Sequence, residues 1–172
     1  LAGVKAEVDF ILEREEMGSR LQKQRENGTL PLRVTHNDTK LSNVLLDDET
    51  GEAVCVIDLD TVMPGTVLYD FGDAIRSGAA SAAEDEPKLD RMNFVPENCK
   101  AFKEGFLEAC GDILLDVEKD NLMLGARVIV YEQAMRFLTD YLNGDTYYKT
   151  LFPGHNLVRA RTQIRLFTQI PE

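Results

Sequence analysis

The chain of 172 residues has no tryptophan, only three cysteines and a shortage of basic side chains. The cysteines, Cys55, Cys99 and Cys110, show no CxxC spacing and lie in apolar or amphipathic stretches, so we predict reduced core thiols and no disulfide framework or zinc site. Lys and Arg number 19 against 30 Asp and Glu, which gives a formal net charge of −11. This negative charge opposes non-specific electrostatic binding to nucleic acid or anionic lipid, and neither is expected as a partner.

Long apolar runs are also missing. No stretch approaches the ~20 apolar residues that cross a bilayer, and the first residues lack the basic and apolar regions of a signal peptide. These absences predict a cytoplasmic protein without a membrane partner. The chain starts at Leu1 and enters a helix-like pattern directly, which predicts a fragment of a longer protein.

The hydrophobic pattern predicts an α+β fold that is mostly helical. A content of 44% hydrophobic residues is enough for one core in one domain. Apolar residues recur at helical spacing in four segments: 1–25, 97–110, 116–142 and 156–169. Short apolar runs at 44–46 and 53–57 predict two strands joined by a turn in a small hairpin, and the run at 32–34 predicts an extended segment before them. Residues 79–87 are small and acidic without a period, and they predict a loop.

Chemistry-bearing side chains concentrate around the hairpin. Residues 36–43 read His-Asn-Asp-Thr-Lys-Leu-Ser-Asn and lead directly into the run 44–46, and Asp58 and Asp60 follow the run 53–57. Transfer of a γ-phosphoryl group needs a base for the acceptor hydroxyl and cations on the phosphate oxygens. Asp38 is suited to accept the proton, and Asn43 with Asp58 offers hard oxygen ligands for Mg²⁺. Lys40 is placed to steady the γ-phosphate as a point charge.

The motif His-x-Asp-x-Lys-x-x-Asn resembles the catalytic loop of protein kinases, and its His-x-Asp-x(4)-Asn core resembles that of aminoglycoside and choline kinases. The pair Ile57-Asp58 resembles the second metal-binding motif of those families. The segments 57–65 and 69–76 are in addition similar to the N-acetylhexosamine 1-kinases, and this resemblance runs from about residue 30 to the end. It implies a protein-kinase-like C-terminal lobe whose hairpin carries the catalytic and metal-binding residues.

The resemblance implies a role for each of several residues. Asp38 is the expected catalytic base, with Asn43 and Asp58 as metal ligands. Three roles remain open for Asp60: it could ligate the metal through water, orient Asp58 or cap the next turn. Arg136, on a long helix, and Tyr147, after that helix, are the expected sugar contacts.

Two further residues are expected to support the catalytic loop. His36 would hold the loop by hydrogen bonds or stacking. Asp70-Phe71-Gly72 looks like a kinase metal-binding signature, but it lies too far from Asn43 in the sequence for that role. Asp70 is instead expected to hydrogen-bond to the loop from behind. Simple capping or packing roles remain the alternatives for these side chains.

The sequence departs from the family pattern in two places. Asn37 stands where aminoglycoside kinases usually have Gly, although the hexosamine kinases also carry Asn. No Gly-rich phosphate loop and no N-lobe Lys–Glu pair is found. We therefore interpret residues 1–172 as a C-terminal catalytic lobe that works with its own N-terminal, ATP-covering lobe and is inactive alone.

The predicted function is ATP- and Mg²⁺-dependent phosphorylation of a small-molecule hydroxyl, most specifically the anomeric hydroxyl of an N-acetylhexosamine in carbohydrate metabolism. The alternatives are an aminoglycoside, choline or ethanolamine, or homoserine kinase, and a non-catalytic kinase-like binding module. Asp58-Leu59-Asp60-Thr61-Val62 also resembles the nucleophile motif of haloacid-dehalogenase-like phosphatases. That fold needs further βα units, whereas residues 97–169 are predicted to be helical.

Overall fold

The structure, a computed structural model, describes residues 2–172 and is mostly helical, in agreement with the predicted α+β class. Its helices are α1 (Lys5–Leu12), α2 (Glu15–Gly18), α3 (Arg20–Glu26), α4 (Val67–Gly78), α5 (Pro96–Cys110), α6 (Asp116–Asp120), α7 (Leu122–Leu142) and α8 (His155–Phe167). Its strands are β1 (Arg33–Thr35), β2 (Val44–Leu46), β3 (Ala53–Val56) and β4 (Met63–Gly65).

The strands form two small antiparallel sheets. β2 and β3 make the predicted hairpin, with Val44 opposite Val56. β1 pairs with β4, with Val34 opposite Pro64, and β4 was not predicted. The residues between β1 and β2 and those between β3 and β4 therefore lie at neighbouring ends of the two sheets.

Two predicted helices are interrupted. The segment 1–25 divides into α1, α2 and α3, and Tyr131 of α7 contacts the chain beside both breaks. Its hydroxyl donates to the Ile11 carbonyl at 3.0 Å, and its ring leaves no room for a Cβ on Gly18. The segment 116–142 divides at Asn121, which leaves helical geometry while its Nδ2 donates to the Val117 carbonyl at 2.7 Å.

The core lies where α4 and α8 pack against α7. A Cβ on Gly125 would lie 2.4 Å from the Leu68 carbonyl oxygen, and a Cβ on Gly72 would lie 2.5 Å from the Gly125 carbonyl oxygen. Backbone therefore touches backbone where α4 crosses α7, which only glycine permits. The fully buried apolar side chains around this crossing are Leu68, Phe71, Ile75, Leu122, Ala126 and Val130.

The cysteines are free thiols, but they are not all in the core. Cys99 is buried and Cys110 is half-buried, whereas Cys55 is exposed, so the prediction of a core thiol is wrong for Cys55. The reason is that every residue of β3 is exposed. None of the helices within residues 2–172 has the length and apolar character that a membrane span requires.

Candidate active site

The segment 36–43, here called the catalytic loop, is anchored to α4. The Asp70 carboxylate accepts hydrogen bonds from the backbone N–H groups of His36, at 2.8 Å, and Asn37, at 2.7 Å. Thr39 donates its hydroxyl to the Asp70 carbonyl at 2.5 Å, and the Leu41 N–H donates to the Ser77 hydroxyl at 2.9 Å. A single helix therefore holds both ends of the loop.

Asn37 adopts a left-handed backbone conformation, with φ of 64°. Its Nδ2 donates to the Thr61 carbonyl at 2.9 Å, and its Oδ1 accepts from the Thr35 hydroxyl at 2.9 Å. Asn and Gly are the residues that tolerate this conformation best. Asn37 therefore keeps the turn shape that Gly would allow, and its side chain adds a hydrogen bond to the segment after Asp58.

His36 joins the catalytic loop to the end of β3. Its Nδ1 accepts from the Asp38 N–H at 3.2 Å, so Nε2 carries the ring proton and donates to the Ile57 carbonyl at 2.9 Å. The Ile57 N–H in turn donates to the Asn43 carbonyl at 2.9 Å. These bonds hold the two segments that carry Asp38, Asn43 and Asp58 side by side.

The Asp38 carboxylate lies between Lys40 and Asn43. Its Oδ2 is 2.7 Å from Lys40 Nζ and accepts from Asn43 Nδ2 at 2.9 Å. Partial burial opposes ionisation, but the hydrogen bonds from Lys40 and Asn43 and the charges of Lys40 and Arg76 outweigh it and lower the pKa of Asp38 below its usual range. Asp38 is therefore ionised at neutral pH, as a proton acceptor must be.

The candidate metal ligands have the oxygen chemistry that Mg²⁺ requires. Asn43 is buried, and its side-chain hydrogen bonds within the described chain use Nδ2, which leaves Oδ1 for another partner. Asp58 is exposed and left-handed, with φ of 63°. Asp60 raises the pKa of Asp58 through a shared hydrogen bond and charge repulsion. Two crowded carboxylates and a free amide oxygen fit a hard divalent cation.

Other metal chemistry has less support. Across residues 2–172, no three His, Cys, Asp or Glu side chains are grouped so that they could hold a metal ion. The candidate set contains only two carboxylates, and its third donor is an amide. A site of this kind suits a cation that keeps water and phosphate oxygens among its ligands, as Mg²⁺ usually does.

Arg136 and Tyr147 lie together in a separate cavity of about 450 Å³, here called the Arg136 cavity. The Arg136 guanidinium is 5.6 Å from the centre of the Tyr148 ring, and Tyr147 is 74% exposed. None of the catalytic loop residues lines this cavity. Burial raises the pKa of the nearby Glu132, the charge of Arg136 opposes that rise, and the charge of Asp73 adds to it.

Asp140 organises the Tyr147 segment, and the sequence pattern did not reveal this role. Its carboxylate accepts from the N–H groups of Thr146, Tyr147 and Tyr148 at 2.8 to 2.9 Å. These bonds outweigh desolvation and lower the pKa of Asp140. A signal existed, because an acidic residue in the last turn of a helix opposes the helix dipole and needs compensating donors.

The polar face of α4 was also missed, apart from Asp70. Asp73 and Arg76 form a buried ion pair at 2.7 Å, and Ser77 holds the catalytic loop. Asp70, Asp73 and Ser77 follow helical i, i+3 and i+7 spacing, so one polar stripe faces the loop. This periodicity was the available signal.

The fold and the arrangement around Asp38 agree with the family to which a comparison assigns the chain, a family of kinase-type phosphotransferases that act on small molecules. A family model described as the phosphotransferase enzyme family matches residues 2–102, more than half of the chain. The chain belongs to this family, whose kinases generally use ATP and Mg²⁺. This membership supports the predicted aminoglycoside phosphotransferase and choline kinase-like superfamily, and the narrower likeness to N-acetylhexosamine 1-kinases stays a prediction.

Proposed function

We propose that this chain carries the catalytic residues of an ATP-dependent kinase that phosphorylates the anomeric hydroxyl of an N-acetylhexosamine. The arrangement of Asn43 is the observation that carries the phosphotransferase part. Its Nδ2 donates to the Asp38 carbonyl at 2.7 Å and to the Asp38 carboxylate at 2.9 Å, while Oδ1 is available to a cation. One side chain thereby sets the distance between the base and the metal.

In the proposed reaction, Asp38 accepts the proton of the acceptor hydroxyl. A bond forms between the acceptor oxygen and the γ-phosphorus, the bond from that phosphorus to the β–γ bridging oxygen breaks, and ADP leaves. This transfer depends on positioning and charge more than on a strong base, which agrees with the lowered pKa of Asp38.

Asn43 and Asp58 would hold Mg²⁺, with Asp60 orienting Asp58 or ligating through water. Bound Mg²⁺ would neutralise charge on the phosphate oxygens. Lys40 lies 2.7 Å from Asp38, whose hydrogen bond and charge raise the pKa of Lys40. The charges of Asp58 and Asp73 raise the pKa of Lys40 further. Its cation therefore stands among these carboxylates and is suited to γ-phosphate contact.

The proposal also assigns the whole chain to a C-terminal lobe that is covered by an N-terminal lobe. The β2–β3 hairpin exposes Leu45, Val54 and Val56, and Leu59 and Val62 next to it are also exposed. Leu45 pairs with Cys55, so it lies on the opposite face of the hairpin from Val54 and Val56. Exposed apolar side chains on both faces, next to a charged site, are typical of an interaction surface. The adenine ring and the covering lobe are the occupants that fit a kinase.

Arg136 and Tyr147 supply the support for a neutral sugar. The guanidinium is an unfavourable wall for a cationic aminoglycoside or for choline, and an exposed Tyr offers a ring face and a hydroxyl to a sugar. A choline site would instead need several aromatic side chains around one cation.

The test is ADP release by the full-length protein with Mg²⁺ and a panel of N-acetylhexosamines, aminoglycosides, choline, ethanolamine and homoserine. We expect turnover with an N-acetylhexosamine and a product with phosphate on the anomeric carbon. Turnover with choline or an aminoglycoside, and none with sugars, would overturn the substrate assignment. No turnover with any acceptor would favour a non-catalytic binding module.

A further inference from the structure

A second cavity, of about 480 Å³, adjoins the catalytic loop and is here called the Gln163 cavity. Lys40 and Ser42 of the loop line one side, and Arg76 of α4 and Gln163 of α8 line others. Its volume falls within the ~300–1,000 Å³ of small-molecule sites. Asp38 does not itself line the cavity, but Lys40, which does, lies 2.7 Å from the Asp38 carboxylate.

Gln163 is an unusual side chain for a helix that packs on the core. It is 1% exposed, and its Oε1 accepts no hydrogen bond from any residue that the structure describes. Buried polar atoms are nearly always paired, because leaving one without a partner is unfavourable. The neighbouring Thr162 shows the usual case, since its hydroxyl donates to the Glu84 and Arg159 carbonyls.

The charges in this cavity are already paired. Lys40 lies 2.7 Å from Asp38, and Arg76 lies 2.7 Å from Asp73 and 3.1 Å from Glu84. An anionic or cationic ligand would have to disrupt these pairs, whereas a neutral ligand would not. The cavity therefore favours a neutral, hydrogen-bonding molecule.

The remaining walls are small and mostly apolar. Ala80, Ala82 and Ala83 come from the loop after α4, and no aromatic side chain lines the cavity among the described residues. A quaternary ammonium group would find no cage here. The alanines leave space for a ring or a small alkyl substituent next to the polar groups.

The Arg136 cavity and the Gln163 cavity share no lining residue within the described chain. Tyr148 lines the Arg136 cavity and Glu84 lines the Gln163 cavity. Burial raises the pKa of Tyr148, and Arg136 and Glu84 both act on it electrostatically. The Tyr148 hydroxyl is also buried without a partner in the described chain.

We propose that the Gln163 cavity is an acceptor subsite beside the catalytic loop, in addition to the contacts proposed for Arg136 and Tyr147. Gln163 selects a neutral, polyhydroxylated acceptor by donating a hydrogen bond to one of its hydroxyls or accepting one from it. This inference rests on the proposed function, and it names a specificity residue for that function. Gln163 binds the acceptor and takes no part in the proton or phosphoryl transfer.

The test compares Gln163→Met, which keeps the size of the side chain and removes its polar group, with the parent enzyme at full length. We expect the KM for the sugar to rise about three- to tenfold, as for loss of one neutral hydrogen bond. The KM for ATP should stay unchanged. The melting temperature should not fall, because the substitution removes a buried polar atom that has no partner.

Gln24→Met is the matched control. Gln24 also carries a buried Oε1 without a partner in the described chain, but it lines a different cavity, between α2, α3 and the end of α8. We expect this variant to leave the sugar KM unchanged. A rise of the same size in both variants would overturn the assignment, because the effect would then not belong to the Gln163 cavity.

Deoxy analogues of the sugar identify the hydroxyl. One analogue should bind the parent enzyme less well and should lose nothing further in Gln163→Met, because the same bond is already absent. Sugar turnover with an unchanged KM in Gln163→Met would overturn the subsite alone, and turnover of a cationic acceptor instead would overturn both proposals. If no acceptor is turned over, the proposed function fails. The subsite is then tested by calorimetry, and it is overturned if Gln163→Met binds the sugar as tightly as the parent protein does.

Discussion

At the scale of single residues, several side chains in the catalytic loop make two connections each. Asn43 bonds Asp38 with its amide hydrogens and keeps its oxygen free, and His36 bonds Asp38 with one ring nitrogen and Ile57 with the other. The shape of the loop and its chemistry therefore depend on the same atoms. Substitutions here separate into those that remove a reacting group and those that move one.

Asp38→Asn removes a reacting group. The substituted amide oxygen can still accept from Asn43, but it cannot take up a proton, so we expect turnover to fall by about 10²- to 10⁴-fold. The ion pair with Lys40 is partly exposed, and its loss should change stability by less than about 1 kcal/mol. Steady-state kinetics and thermal melting check both expectations. Asp112→Asn, an exposed substitution of the same kind, should leave both unchanged.

Glu118→Gln tests a buried ion pair away from the site. Glu118 is fully buried and accepts two hydrogen bonds from Arg33 at 2.6 Å and one from the Leu115 N–H at 2.8 Å. Burial opposes ionisation, but these bonds and the guanidinium charge lower the pKa of Glu118. Near neutral pH we expect the substitution to lower the free energy of unfolding by about 1.5–3 kcal/mol.

The pH dependence of that difference has a defined sign. The folded pKa of Glu118 is lowered, so its stabilisation is complete above the unfolded value of ~4.3 and is lost as the pH falls through the folded pKa. Melting curves should therefore converge for parent and variant in acid. Glu104→Gln, in an exposed pair with Lys100, should show little difference at any pH. A difference in melting temperature between the parent and Glu118→Gln that increased in acid would contradict the ion-pair explanation.

At the scale of elements, α4 connects the core to the active site. One side crosses α7 through Gly72 and Gly125, and the polar stripe on the other side holds the catalytic loop through Asp70 and Ser77. The position of the loop therefore depends on how closely two helices approach. A defect at the crossing should change activity as well as stability.

Gly125→Ala tests this coupling. The added Cβ would press on the Leu68 carbonyl and push α4 from α7, so we expect a loss of about 1–3 kcal/mol and reduced turnover. Gly105→Ala is the matched control on α5, where a Cβ would meet nothing within 4 Å. There the substitution should raise the free energy of unfolding by up to about 1 kcal/mol. Chemical denaturation distinguishes the loss of stability expected for Gly125→Ala from the gain expected for Gly105→Ala.

The local parts of this architecture could be predicted from the sequence, and the distant pairings could not. The β2–β3 hairpin is continuous in sequence, so its two apolar runs identified it. β1 and β4 are three residues each and pair across the chain, and the breaks between α1, α2 and α3 lie beside contacts with Tyr131, far away in sequence. Asp38, Asn43 and Asp58 carry a motif, whereas Asp140 and Gln163 gain their roles only from tertiary neighbours.

At the scale of the whole molecule, the candidate active site lies next to the exposed apolar side chains of the β2–β3 hairpin. Every residue of β3 is exposed, and Val54 is 67% exposed. A kinase must enclose the nucleotide to exclude water from phosphoryl transfer. The proposed N-terminal lobe would cover this surface and complete the ATP site.

Nucleotide binding tests this arrangement. We expect residues 1–172 alone to bind a labelled ATP analogue with Mg²⁺ weakly or undetectably, because the chain provides one side of the site. The full-length protein should bind it measurably. Fluorescence polarisation compares the two, and circular dichroism confirms that the short chain is folded. Equal, tight binding by both would contradict a two-lobed site.

The bonds from Asp70 to the catalytic loop also have a dynamic consequence. The amide protons of His36 and Asn37 are held by a side chain of α4, so they exchange with solvent only when the loop and α4 separate. Loop and helix therefore open as one cooperative unit. We therefore expect hydrogen exchange at His36 and Asn37 to report the separation of the catalytic loop from α4.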